Sequence, residues 1–188
     1  MPPSQGTSAL KEHERFTLED WKKWPPNERW ELIDGLAYSM GPAPRVPHQE
    51  IAGDLYAELR IYLKGKPCKV FIAPLDVFLG EEAGAGEHVV EPDVLALCDT
   101  SKIQDDGIHG APDFVAEVLS ETTAHKDFGI KRDLYERSGV QEYWIIHSDT
   151  SAVYQYVLED GRFGPLKEYR RGEAVPSAVF PGFTWMCP

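Results

Sequence analysis

Basic residues are the scarce class in this chain. Its 188 residues hold 19 Lys and Arg against 31 Asp and Glu, a formal net charge of −12. That balance excludes a protein that coats nucleic acid by bulk electrostatics, because such binding depends on how many phosphates its cations neutralise. A local basic groove is not excluded. Cysteine is scarce as well: Cys68, Cys98 and Cys187 form an odd set with no CxxC and no Cys/His metal spacing. They read as cytosolic thiols, two inside apolar strands and one near the C-terminus. No apolar run approaches the ~20 residues a membrane span needs, and the polar opening MPPSQGTSALKEHER has no secretory core. Repeats, low-complexity stretches and long interior linkers are absent too. What remains is one soluble, cytoplasmic, mixed α/β domain.

Hydrophobic residues make up 42% and charged residues 27%, a globular balance. Residues 1–16 read as a flexible lead-in and 17–188 as a single domain. Thr17 is placed to cap a short helix, TLEDWKKW, that Pro25 and Pro26 end. In RWELIDGLAYSM, Asp34-Gly35 between two apolar runs signals a hairpin. From Pro47 to about Lys64, His48, Ile51, Ala52, Leu55, Leu59 and Tyr62 recur at helical spacing. Three β-like runs follow: CKVFIAPLDVFLG with a break at Pro74, then DVLALC and DFVAEVLS. SETTAHKDFGIKRDLYERSG reads as a helix closed by Gly139, EYWIIHS as a strand, and the rest as a hairpin around Asp160-Gly161. The order is α-β-β-β-α-β, with a hairpin before it and strands after it. Acidity is concentrated: Glu81 to Asp106 holds eight acids against one lysine.

If DVLALC and DFVAEVLS pair antiparallel with Cys98 opposite Pro112, then Asp93 falls opposite Glu117, with Cβ atoms about 5 Å apart. Two carboxylates that close repel unless one is protonated or a cation sits between them. Their oxygens suit Mg²⁺ or Mn²⁺ rather than zinc. A buried Arg or Lys partner for Glu117 would produce the same pattern. Lys131 shares a helix face with Phe128, Leu134 and Tyr135 and so points inward, toward Glu117 or into an i,i+4 pair with Asp127. Asp113 and Glu117 lie four apart on one strand, ~13 Å along it, too far to share an ion. His48 reads as a satisfied core histidine more readily than as a ligand. The run Arg60, Lys64, Lys66 and Lys69 suits either phosphate contacts or a helix C-terminus.

WELIDG, HQEIAGDL, EPDVLAL, GAPDFVAEVLSETT, KDFGIKRDLYERSGVQEYWII and VYQY together resemble the Uma-type putative restriction endonuclease family, within the PD-(D/E)xK nuclease superfamily. The resemblance covers residues 17–185 and implies a restriction-endonuclease-like αβββαβ core, a central mixed sheet flanked by helices. It implies Asp93 and Glu117 as the acidic pair, with the backbone carbonyl of Val118 as a third metal contact. Where the superfamily pattern has lysine two positions beyond Glu117, this chain has Leu119; the family's displaced lysine implies Lys131 instead. Glu31 matches a further acidic position, and His48 and Asp76 fall on family-like positions without an assigned role. The implied activity is Mg²⁺- or Mn²⁺-dependent hydrolysis of DNA phosphodiester bonds by a homodimer. The alternative is a silent nuclease-fold binding or assembly protein whose carboxylate–lysine network is structural.

Overall fold

The computed structural model describes residues 15–25, 28–41, 43–80, 87–119 and 124–188. Most of the expected lead-in lies outside these. Its last two residues are anchored: the Arg15 guanidinium donates to the Asp34 carbonyl, and the Phe16 N–H donates to the Gly35 carbonyl at 2.8 Å.

Helix α1 (Leu18–Trp21) is a single turn, started by Thr17 in a reciprocal capping box with Asp20. Strands β1 (Trp30–Ile33) and β2 (Leu36–Ser39) make the expected hairpin. Asp34 and Gly35 sit at φ 52° and 73°, the left-handed pair that a two-residue turn requires. Helix α2 (Val46–Tyr62) buries Ile51, Ala52, Leu55 and Leu59, the stripe given by its periodicity.

The run from Cys68 to Gly80 breaks at Pro74, as its sequence suggests, and its halves part company. Strand β3 (Lys69–Ile72) edges the large sheet, whereas β4 (Val77–Leu79) joins a smaller one with β5 (His88–Val90). Strand β6 (Val94–Leu97) returns to the large sheet. The short β7 (Ile103–Gln104) and β8 (Gly107–His109) complete the smaller sheet, in the order β2-β1-β5-β4-β8-β7. Strand β9 (Phe114–Leu119) is central and buried throughout. Helix α3 (Ala124–Lys126), a π turn (Asp127–Lys131) and α4 (Arg132–Ser138) form one segment, ended by Gly139 at φ 85°. It leads to β10 (Glu142–His147), parallel to β9, and then β11 (Ala152–Glu159), β12 (Arg162–Phe163) and β13 (Lys167–Tyr169). The hairpin of β14 (Ala174–Pro176) and β15 (Thr184–Met186) closes the chain. Strands β5, β7, β8, β14 and β15 are too short, at two or three residues each, to carry a readable period.

The large sheet runs β12-β11-β10-β9-β6-β3, with β13 also on β11. Elements α2, β3, β6, β9, the α3–α4 segment and β10 are the αβββαβ core. Alternate residues of β9 face opposite ways. Phe114, Ala116 and Val118 pack with α2 and the closing hairpin, while Val115 and Leu119 pack with α4 and the smaller sheet. Glu117 shares the second face. On the first face, the fully buried Glu142 carboxylate accepts from Trp144 Nε1, Gln155 Nε2, Ser177 Oγ and the N–H groups of Ala178 and Val179, tying the C-terminal turn to the sheet.

The cysteine reading needs correction. Lys69 pairs with Leu97 across β3 and β6, so Cys68 and Cys98 meet just beyond that pair, and they form a disulfide. Only Cys187 is a free, buried thiol. Among the described residues no helix is long and apolar enough to cross a membrane.

Gly107 adopts φ 149°, and a Cβ there would lie 2.4 Å from the Asp76 carbonyl oxygen and 2.9 Å from the Phe78 ring. Gly107→Ala should therefore destabilise the fold by about 1–3 kcal/mol, through backbone strain. Urea unfolding would show it; an unchanged midpoint would mean that β8 gives way freely.

Candidate active site

The register of β6 and β9 pairs Val94 with Ala116, Leu95 with Val115 and Ala96 with Phe114. Extended by one residue, it sets Asp93 opposite Glu117, as the sequence pattern requires. Both carboxylates line a cavity of about 380 Å³, together with His48, Val118, Lys126 and Lys131. The cavity lies where the large sheet, the smaller sheet, the start of α2 and the π turn meet.

Lys131 is buried, with 3% of its side chain exposed. Its ammonium lies 2.7 Å from Glu31 Oε1 and 2.7 Å from Glu117 Oε1, with Asp127 Oδ1 at 4.0 Å. The alternatives left open by the sequence, a strand-side carboxylate or the i,i+4 Asp127, are thus resolved toward the strands, with Asp127 as the more distant neighbour. Tyr135 donates its hydroxyl to Glu117 Oε1 at 2.7 Å. Glu31 also accepts the Glu91 N–H at 3.2 Å and the Lys126 ammonium. Glu31 comes from the smaller sheet, Glu117 from the large one and both lysines from the helical segment, so the cluster joins three elements.

Lys126 escaped the sequence reading for a geometric reason. Residues five apart fall on different faces of an α-helix, so Lys126 and Lys131 do not look like partners. The π turn, with its i→i+5 bonding, swings them toward the same carboxylate. Nothing in the apolar period announces that wider turn.

Asp93 is held by its surroundings. Its Oδ2 accepts the Val118 N–H at 2.7 Å, and His48 Nε2 lies 3.2 Å away. The N–H and C=O of one strand residue point the same way, so the Val118 carbonyl also faces past the end of β6, toward His48. Burial alone would lower the His48 pKa, but Asp93, the Val118 carbonyl and Asp127 together raise it. His48 is not the satisfied core histidine of the simpler reading, since its buried Nδ1 has no partner among the described residues. Asp113, by contrast, accepts from the Cys98 N–H and Gln141 Nε2 and is structural. Asp76 lies outside the cavity wall; burial and the nearby Glu91 and Asp106 push its carboxyl up to about 6, against the pull of Arg29.

Burial raises the Glu117 pKa to about 8; Lys131 opposes the rise, and Asp127, Asp93 and Glu31 add to it. Burial acts on Glu31 in the same sense, yet Lys131 and Lys126 outweigh it and hold Glu31 down to about 2. The two acids share Lys131, so they titrate as one system. Asp93 Oδ1 and Glu117 Oε2 accept no hydrogen bond among the described residues. If ionised, the four carboxylates Glu31, Asp93, Glu117 and Asp127 exceed Lys126 and Lys131 by two charges. Among the described residues no three His, Cys, Asp or Glu side chains form a ready-made metal cage. Mg²⁺ does not need one, because it is held through one or two carboxylates and completed by water and substrate phosphate. The oxygen donors and the charge excess both fit such an ion.

Lys131→Met should cost about 3–5 kcal/mol at pH 7, because it strands buried carboxylates without their counter-charge. The Glu31 contribution is present above its ordinary pKa of 4.5 and fades as the pH falls toward 2. The mutant deficit should therefore shrink in that window. Denaturant titrations at pH 7 and pH 3 would test this; an equal deficit at both would implicate packing instead of charge.

The model of the Uma2 family, described as putative restriction endonuclease, matches residues 18–187. Among solved structures, the chain is similar to a putative nuclease belonging to DUF820 from Anabaena variabilis, at 20% identity and a TM-score of 0.71, over 88% of this chain and 90% of that one. At that identity the likeness shows a shared fold. No curated protein matches at a significant level. Because the family match spans nearly the whole chain, the protein belongs to the Uma2 family of putative restriction endonucleases.

Proposed function

We propose that this protein is a divalent-metal-dependent endonuclease hydrolysing DNA phosphodiester bonds at the Asp93–Glu117 cavity. The observation that carries the reading is the pair of opposed carboxylates on the cavity wall, each with one uncommitted oxygen, beside a buried lysine. Asp93, Glu117 and the Val118 carbonyl would hold Mg²⁺ or Mn²⁺. Such an ion, when bound, lowers the pKa of a bound water and polarises a phosphoryl oxygen.

The chain's own groups arrange the rest. Lys131 and Tyr135 both donate to Glu117 Oε1, which fixes the carboxylate and leaves Oε2 turned away from them. The Val118 N–H and His48 orient Asp93 in the same way, leaving Oδ1 uncommitted. Glu31 accepts from Lys126, Lys131 and the Glu91 N–H. With those oxygens so engaged, its role is to hold the two lysines charged and in place. A nuclease with one site per chain commonly cuts the two strands of a duplex as a pair, so a homodimer is the expected form.

A second reading has its own support. Lys131 is closed on Glu31 and Glu117 as a satisfied network would be, which suits a silent binding or assembly protein of the same fold. Metal-dependent stability separates the two. An ion at a hundred times its Kd adds about 2.7 kcal/mol to the folded state, whereas a purely structural network does not respond.

Glu117→Gln should keep the fold, because the amide oxygen can still accept from Tyr135 and Lys131. It should abolish both the Mn²⁺- or Mg²⁺-dependent rise in Tm and any cleavage of plasmid DNA. Thermal shift and gel assays on wild type and variant would decide. Undiminished cleavage by the variant would overturn the assignment, and a wild type indifferent to both ions would favour the structural network.

A further inference from the structure

The two lysines on Glu31 are not equivalent. An ammonium has three donors. Lys131 sets its own against Glu31 Oε1 and Glu117 Oε1, with Asp127 as a third neighbour, and 3% of its side chain is exposed. Lys126 has one acceptor among the described residues, Glu31 Oε2, and 16% of its side chain is exposed. Both line the cavity. Lys126 is therefore anchored by one N–H; its ammonium also lies 6.0 Å from the Tyr38 ring centroid, and its two remaining donors have no oxygen acceptor among the described residues.

The arginines on the cavity wall are differently engaged. Arg29 is paired with Glu91, and Arg45 with Asp149 in an exposed contact at 3.0 Å. A phosphate entering a cavity lined by Asp93, Glu117 and Asp127 meets strong like-charge repulsion unless a cation faces it. We propose that Lys126 is the residue that binds a phosphate oxygen of the nucleic-acid strand in the cavity, while Lys131 is the internal clamp that sets the carboxylates. The π turn is the device that makes this division possible, because it brings both ammonium groups to the two oxygens of one glutamate. The inference rests on the nuclease reading and assigns a substrate contact within it.

The test measures binding, so it does not depend on turnover. A fluorescein-labelled DNA oligonucleotide is titrated by anisotropy into wild type, Lys126→Gln and Lys126→Arg, with Ca²⁺ supplied in place of Mg²⁺. Mn²⁺ affinity by electron paramagnetic resonance and Tm are measured on the same samples. Loss of a charge-assisted hydrogen bond should weaken DNA binding by Lys126→Gln roughly tenfold or more. Lys126→Arg should stay within a few-fold of wild type. The Mn²⁺ affinity of both variants should hold, and Lys126→Gln, which removes one of the two counter-charges on Glu31, should lower the Tm less than Lys131→Met does. Unchanged DNA binding by Lys126→Gln would overturn the proposal. So would a loss of Mn²⁺ affinity in step with the loss of DNA binding, or a fall in Tm as large as that of Lys131→Met, either of which would make Lys126 a second clamp. Failure of the wild type to bind the oligonucleotide at all, with Mn²⁺ bound or not, would remove the nuclease reading itself and this inference with it.

Discussion

A single ammonium group, that of Lys131, lies 2.7 Å from carboxylates on two different sheets and is shielded from water on nearly every side. Burying a charge is costly unless its partners are already in place. The smaller sheet must therefore bring Glu31, the large sheet must bring Glu117, and the helical segment must turn inward, all in one arrangement. The relative placement of β1, β9 and the π turn is tied to this contact. Stability alone does not account for it, because apolar residues of similar volume often serve a core equally well.

The cluster also explains how acidic chemistry can coexist with an anionic substrate in a chain of net charge −12. Lys126 and Lys131 offset part of the carboxylate charge locally. The exposed cations Arg60 and Lys64 lie at the other end of α2, with Arg60 twelve residues or ~18 Å along the helix from His48. They are too far away to serve the same phosphate as the cavity. Compensation at the site is built from residues next to the carboxylates, so bulk composition is a poor guide to it.

Much of this architecture could be read from local sequence. Asp34-Gly35 marks the first hairpin because few residues tolerate two left-handed positions in succession. The stripe Ile51, Ala52, Leu55 and Leu59 identifies α2 and its inner face. The continuous apolar run around Glu117 marks a strand buried on both faces, and a register counted across the intervening loop placed Asp93 opposite it. Other features had no local signature. Val77–Leu79 reads as a continuation of the strand before Pro74, yet it joins a different sheet. Cys68 and Cys98 are 30 residues apart and look like unrelated thiols until β3 pairs with β6. Lys126 appears to point away from Lys131 until the helix widens.

Residue type and spacing tell which groups are chemically available: oxygen donors at Asp93 and Glu117, a lysine on an inward face, and no thiol or imidazole set spaced for zinc. Residue type and short-range period are local properties, and a chain carries them before it folds. How those groups are shared is a matter of long-range packing. It gave Lys131 to two carboxylates at once, set His48 beside Asp93, and turned Lys126 onto Glu31. Those choices come from the packing of two sheets against a helix with one wide turn, contacts between residues up to 100 positions apart, whose geometry no single segment contains.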